Sequence, residues 1–591
     1  MKRISNLHLP HIPNNPGRIS MRSFLLTYFM VFCLLIQTAY THPCGINLLR
    51  TPKRILFKNE GEDIRNLKSE QWEPLRIHLD YSNIENNLGK ISANDYNDLK
   101  DKIMPKTKEI FEKLLKVKRN KKNLKLPDEM CDHIEIPSHY LSDAAGVDAD
   151  IVIFVLVDDT GLFIKHKVEA AAIHCFQETE SRRPIAGYIQ FKPELNMHNS
   201  TAVDYMVWLA IHEITHILVM NDSLYDDWID QDMKPYGFNK VVGKKILPNG
   251  KAMSYIKTPK IIEKGKAHFK CDSFDGLPLE YNGGAGTVGA HWSKKTMNTD
   301  YMIGDSYGEN LISDLSLAMF EDSGWYQVSY SDSNMFTWGK GKGCDFLNHS
   351  IKCVEKKGNK IVSPFPEEFC TDLNAAVCSP SNIFRANCRT RRYDGLTKFE
   401  NYFDDNVAGI DSLCDKCPIP IEVKNGMTYY GGSCRFGDAR NLASHEKVCP
   451  GCACFISNLK QKVEKKKQKF FFSFKQADLS GKSPLSGDTS TKSSSTETVA
   501  ESSKATEIDP NLKLKVDSDF PFWLPDLSIQ AQCMEFKCSD DQLYVVINET
   551  SYKCDKEKLQ IEGYEGYVNC PSSKLLCNEK FRCKFGCVEK Y

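Results

Sequence analysis

The stretch Leu209–Asp222 reads LAIHEITHILVMND and carries two histidines four residues apart, His212 and His216, with Glu213 beside the first. Residues i and i+4 of a helix share a face, with Cβ atoms ~5–6 Å apart, so both imidazoles can aim a nitrogen at one ion. Zinc takes such nitrogens at ~2.0–2.1 Å and in catalytic sites keeps one position for water. Glu213 would stand beside that water and take its proton, while the metal lowers the water's pKa from ~15.7 toward ~7 and polarises a scissile carbonyl. The pattern therefore describes a hydrolase centre short of one ligand. Two core histidines bonded only to backbone are the bland reading. It would leave a glutamate in the same apolar stripe without a partner, which is costly. One residue is out of pattern. Such a helix usually ends on a glycine three residues past the second histidine, and that position is Val219. A β-branched residue resists the positive φ that glycine accepts.

The third ligand decides the type of centre. Downstream candidates are His268, His291, His349 and His445. His291 stands out through its surroundings, GAHWSKKTMNTDYMIG, in which Met302 follows 11 residues later. A methionine turn beneath a three-histidine zinc site marks the metzincins. With the stretches VDADIVIFVLVDD, AAAIHCFQETESRRPIAGYIQF and LAMFEDSGWYQ, the chain resembles the leishmanolysins, secreted and surface metzincin endopeptidases. The resemblance runs from about Pro74 to Cys454, and more loosely from Cys533 to Cys587.

The resemblance implies roles. His212, His216 and His291 would bind one catalytic Zn2+, Glu213 would be the general base, and Met302 would form a hydrophobic floor without ligating. The strand before the helix, Ile185, Ala186, Gly187, Tyr188 and Ile189, would line the cleft and pair with extended substrate, a plausible mode for a sheet edge. Cys44, in HPCGIN, lies where the family keeps a pro-segment cysteine that silences the zymogen, although the residues around it match that motif poorly. A second reading makes Cys44 a disulfide partner in a retained N-terminus. Some 70 residues separate His216 from His291, so the chain need not turn at Val219. The helix is expected to run to Met220 and end on Asn221 as a left-handed cap.

These residues need elements to hold them. LRIHLDY alternates like a strand, Ala149–Asp159 is an apolar run bounded by acids, and Pro184–Lys192 is a strand whose Pro and Gly suit an edge. Ile91–Val117 has helical spacing with Ser92 as cap, Ala202–Met220 is a long apolar helix, and Glu309–Trp325 is helical and stops at Gly324. The expected fold is α+β: a metzincin-type catalytic domain, a twisted sheet with its active-site helix, followed by cysteine-rich, loop-rich regions.

With 591 residues, several domains are expected. The divisions are a signal peptide (1–41), a pro-segment (42–72), an N-terminal catalytic subdomain (73–220) and an insertion (221–290). A C-terminal catalytic and cysteine-rich region (291–455), a basic and Ser/Thr-rich linker (456–525) and a small cysteine-rich module (526–591) follow. Basic residues precede the apolar run FLLTYFMVFCLLI, too short for the ~20 residues of a membrane span, which describes a secretory signal; a retained anchor is the other reading. The C-terminal CKFGCVEKY lacks the hydrophobic tail of a GPI signal. The 23 cysteines fit disulfides in an oxidising compartment, extracellular or in the secretory lumen. Without Cys33 of the signal and Cys44, 21 are left, an odd number that implies one unpaired thiol. The pairs Cys414/Cys417 and Cys449/Cys452 are too far apart for a zinc ribbon and read as disulfide cysteines. Sequons at Asn199, Asn221, Asn348 and Asn548 suit the same route. Zero net charge gives no reason for a nucleic-acid partner. Partners would be protein or peptide substrates. Membrane association is not required, although the lysine run around FFFSF offers a surface patch. The reading is a secreted zinc-dependent endopeptidase, with a catalytically weak or inactive homologue, acting as an extracellular binding or adhesion protein, as the alternative.

Overall fold

The computed structural model describes residues 44–46, 49, 54–58 and 71–578, apart from 87, 120–121, 159, 196–199, 285–286, 306–308, 359, 373–374, 404–405, 423–431, 436–441 and 463–529. The signal run, Asn199, most of the basic and Ser/Thr-rich linker and the C-terminal tail lie outside them. Among the described residues, no helix is long and apolar enough to cross a membrane.

The site rests on a five-stranded sheet. Its strands are β1 (Ile55–Phe57), β2 (Ile77–Asp80), β3 (Ile151–Val157), β4 (Ala170–Glu178) and β5 (Pro184–Phe191). They lie in the order β1-β4-β5-β3-β2, every pair parallel except β4 with β5. Strands buried on both faces read as near-continuous apolar runs, and β3, IVIFVLV, is one. Ile153, Val155, Ala172 and Ile189 face the main core, where the long helix α3 (Ser200–Leu218) packs. Val152, Phe154, Ile185 and Tyr188 face a second core, closed by the Cys131–Cys175 disulfide. α3 is apolar on nearly every side, as a helix enclosed in a core must be.

The strand expected at an edge is interior. β5 pairs with β3 along Val152–Val157 and with β4 along its other side, so Ile185, Ala186, Gly187, Tyr188 and Ile189 have no open backbone to offer a substrate. The two residues that suggested an edge have other causes. Pro184 is the first residue of its strand, where a missing N–H is tolerated. A Cβ on Gly187 would lie 2.6 Å from Ile217 Cγ2 and 2.7 Å from the Ile173 carbonyl, so the glycine lets α3 approach the sheet. The strand that meets the N-terminal segment is β4. It is flanked by Cys44, bridged to Ala170, and by β1, paired at Phe176–Glu178.

The helical stretch from Ile91 is broken. Ser92 caps α1 (Ala93–Asp98) through its side chain, a π turn covers Leu99–Ile103, and α2 (Met104–Leu114) follows. Pro105 sits in the first turn of α2 and cannot donate a backbone N–H, which accounts for the widened turn before it. Downstream, α4 (Pro259–Phe269) packs on α5 (Asp314–Asp322). α5 starts later than the sequence suggested, at its Ser313 cap, and Gly324 follows at φ 76°.

Disulfides organise the remainder, including Cys271–Cys344, Cys353–Cys417, Cys378–Cys454 and Cys449–Cys452. Cys414 does not follow its CxxC partner into a disulfide; among the described residues it is a buried free thiol. Cys452–Ser457 pairs antiparallel with Gln530–Ser539, so the chain leaves this sheet before the Ser/Thr-rich stretch and rejoins it afterwards. Gln530–Ser539 is also tied back by Cys434–Cys533.

Because the added methyl of Gly187→Ala meets backbone as well as a side chain, the variant should lose about 1–3 kcal/mol of stability, measured by denaturant unfolding.

Candidate metal centre

α3 carries His212, Glu213 and His216, with 8%, 0% and 0% exposure, and His291 is also fully buried. The helix does not end as expected. It stops at Leu218 rather than Met220, and neither Val219 nor Asn221 adopts positive φ. The N–H groups of Val219 and Met220 both reach the Thr215 carbonyl at 2.9 Å, which closes the last turn without a left-handed residue. A β-branched side chain is therefore unstrained at 219. Asn221 is buried and its Oδ1 accepts from Ser223 N at 3.1 Å and Oγ at 2.7 Å. It builds a turn and is not presented as a surface sequon.

The three histidines converge. His212 Nε2 lies 3.1 Å from His291 Nε2 and 3.2 Å from His216 Nε2. Every opposite ring nitrogen faces a backbone carbonyl: His212 Nδ1 that of Tyr301 at 2.8 Å, His216 Nδ1 that of Met220 at 2.6 Å and His291 Nδ1 that of Thr287 at 3.1 Å. A carbonyl only accepts, so each Nδ1 carries the proton and each Nε2 turns a lone pair inward. Three inward lone pairs repel, and a cation between them removes the conflict. Cys44 Sγ completes the group, 3.5 Å from His216 Nε2, and the four ligand atoms lie within 4.8 Å of one another. Tetrahedral zinc with bonds of ~2.05 Å to nitrogen and ~2.3 Å to sulfur requires spacings of about 3.3 Å (N···N) and about 3.6 Å (N···S). The spacings of His212 to His291 and His216, and of Cys44 to His216, fit these values.

Glu213 Oε2 accepts from the Cys44 thiol at 3.5 Å, and Oε1 has no protein partner. Burial raises the Glu213 carboxyl well above the ordinary range, partly offset by the Cys44 and Ala172 hydrogen bonds. Burial, then Glu213, raise the Cys44 thiol; a coordinated cation acts in the opposite sense and favours thiolate. Cys44 makes no disulfide. Its backbone neighbour Gly45 donates to the Ala170 carbonyl at 2.8 Å, which seats the segment on β4.

His291 is delivered by a loop knotted around buried Glu280. Glu280 accepts from the backbone N–H of Tyr281, Asn282 and Lys294 at 2.7–2.9 Å, and its own N–H donates to the His291 carbonyl at 2.8 Å. Burial pushes the Glu280 carboxyl up to about 8. Met302 is fully buried; its carbonyl accepts from Trp292 N at 2.9 Å and its N–H donates to Asp300 at 2.8 Å. Its loop thus braces His291 through Trp292 and orients His212 through Tyr301. Sequence reasoning missed Tyr301, Met220 and Thr287 because they act through carbonyls, which no side-chain pattern reveals. His268 Nε2 donates to the Trp338 carbonyl at 2.9 Å, His349 meets Tyr281, and His445 meets Gln532; none joins the group.

Comparison with known proteins agrees with this geometry. The leishmanolysin peptidase family model matches residues 91–583. A leishmanolysin-like peptidase of Drosophila pseudoobscura pseudoobscura is 24% identical over 72% of this chain and 77% of its own length. One from Caenorhabditis elegans is 27% identical over 62% and 65%, and leishmanolysin of Leishmania major 24% over 57% and 53%. A family match across most of the chain, on a fold that gathers three histidines and a cysteine around one point, identifies the chain as a member of the leishmanolysin family of zinc metalloproteases.

Proposed function

We propose that the chain is a secreted, metzincin-type zinc endopeptidase held latent by its own N-terminal segment. The observation that carries this reading is the convergence of three Nε2 lone pairs beside Glu213, with Cys44 as the fourth donor. His212, His216 and His291 would hold zinc, which when bound supplies a Lewis acid that polarises the peptide carbonyl and makes water acidic enough to attack near neutral pH. The protein's own residues do the rest. Glu213 takes the attacking water's proton on its carboxylate and returns it to the leaving amine. The backbone carbonyls of Tyr301, Met220 and Thr287 keep each histidine in the tautomer that ligates. Met302 contributes a packed floor. β4, rather than β5, is the strand able to receive a substrate strand, since the N-terminal segment already pairs there.

Latency follows from the same contacts. While Cys44 Sγ stands with the histidines, the fourth position is filled and Glu213 is engaged by the thiol. Release of residues 42–72 would open the position and free the base. The signal run and the disulfides support a secretory route, with protein or peptide substrates. A binding or adhesion role without turnover finds no support at Val219, whose backbone is unstrained.

Two outcomes test the proposal. Processed enzyme should cleave casein, lose the activity to a chelator, and hold about one zinc. Glu213→Ala should keep the zinc while kcat falls about 10²–10⁴-fold; stoichiometric zinc with no cleavage by the wild type would favour the binding role instead. In the unprocessed protein, Cys44→Ala should give casein cleavage where the wild-type proprotein gives almost none. Equal activity of the two proproteins would remove Cys44 from regulation.

A further inference from the structure

The N-terminal segment is held at a second place, away from the metal ligands. Arg54, immediately before β1, forms an ion pair with Asp227, whose side chain is 1% exposed against 46% for Arg54. Asp227 Oδ2 accepts from Gln177 Nε2 of β4 at 3.1 Å, and that amide also donates to the Arg182 carbonyl at 2.8 Å. Asp227 Oδ1 has no hydrogen-bond partner, and the ion pair with Arg54 is its contact. Four residues on, Lys58 pairs with Glu180 at 3.3 Å, in the turn between β4 and β5. The strand is docked there as well, with Thr179 N donating to the Phe57 carbonyl at 3.1 Å. Burial and then the guanidinium of Arg182 lower the Arg54 pKa, and Asp226 opposes them. One end of β4 thus receives two basic side chains from the chain laid along it.

A carboxylate as buried as Asp227 is costly without a cation beside it. When residues 42–72 leave, Arg54 leaves with them, and the carboxylate stays, held by Gln177. We propose that Asp227, with Gln177 and Glu180, forms a substrate subsite for lysine or arginine side chains, which Arg54 fills in the proprotein. The subsite rests on the reading of residues 42–72 as a releasable segment over the metal site.

Its position along the substrate can be given. Cys44, whose thiol stands with the histidines and Glu213, is bridged to Ala170, so the reacting bond lies near Ala170. Gln177 is seven residues further along β4, about 23 Å at ~3.3 Å per residue. β1 runs parallel to β4. An antiparallel strand pairs somewhat more stably, and a substrate bound that way would turn its N-terminal side toward Gln177. The basic side chain therefore belongs six or seven residues N-terminal to the cleaved bond. Substrates with clustered basic residues on that flank would be preferred, and the preference would be electrostatic.

The test uses processed enzyme and matched peptides that carry Arg, Ala or Glu at single positions, four to eight residues on either side of the cleaved bond. Arg at the N-terminal sixth or seventh position should raise kcat/KM over Ala about tenfold, chiefly through KM, and Glu there should lower it. Added salt should shrink the difference. In Asp227→Asn, which retains an acceptor for Gln177, the Arg-to-Ala ratio should fall to about one. The wild-type Arg, Ala and Glu series stands on its own if that variant fails to fold. An active processed enzyme indifferent to charge on the N-terminal flank overturns the subsite and leaves the latent-protease reading intact. A preference that survives Asp227→Asn, or that appears only on the C-terminal flank, overturns it too. An unprocessed wild type as active as the processed enzyme defeats the latency reading itself.

Discussion

Three protonated Nδ1 atoms, each tied to a backbone carbonyl, are the constraint on which the centre depends. Once they are fixed, His212, His216 and His291 must bring three Nε2 lone pairs to within 3.1–3.2 Å along the contacts of His212. In water each would be hydrated. Here, at 0–8% exposure, a cation between them would settle the arrangement. The three carbonyls come from three places: the exit of α3 at Met220, the turn at Thr287, and Tyr301 in the methionine loop. Each of those segments presents a carbonyl at one orientation, which is what a ligand set for one cation would demand.

The scaffold meets that demand with buried polar anchors. Asp300 gathers Met302 N, Ser313 Oγ and Ser316 Oγ at 2.5–2.9 Å, which joins the methionine loop to the start of α5. Burial pushes its carboxyl up to about 6. Lys294, two residues past Trp292, is enclosed by Asp305 and Asp411, and so ties the His291 segment to the cysteine-rich region. Removing one partner of such a buried set leaves an uncompensated charge, which is where its rigidity comes from. His291, some 75 residues after His216, thus stands in a segment with buried polar anchors of its own.

What was legible in the sequence was the side-chain chemistry. The i, i+4 spacing on α3, Glu213, His291 and Met302 are patterns of residue type, and the fold brings the three histidines and Glu213 together. What was not legible depended on neighbours. Pro184 and Gly187 looked like edge residues because Pro and Gly are rare inside strands. In place, one begins its strand and the other makes room for Ile217 and for the backbone of β4. Val219 looked like a defect because glycine usually turns the chain there. Here the Thr215 carbonyl takes two N–H groups and no left-handed residue is needed. Cys44 could be a disulfide cysteine or a ligand on sequence grounds, and only its seat on Ala170 separates the two.

The strand that meets the N-terminal segment is β4 rather than β5. An interior strand offers no backbone to an incoming chain. β4 pairs with the segment at Cys44 opposite Ala170 and again at Ile55–Phe57 opposite Phe176–Glu178. Eleven residues of the segment separate the two contacts, against six of β4. The first contact sets the thiol beside His216 and Glu213, and the second brings Arg54 beside Asp227. One strand thus anchors two side chains of the segment to two different polar groups.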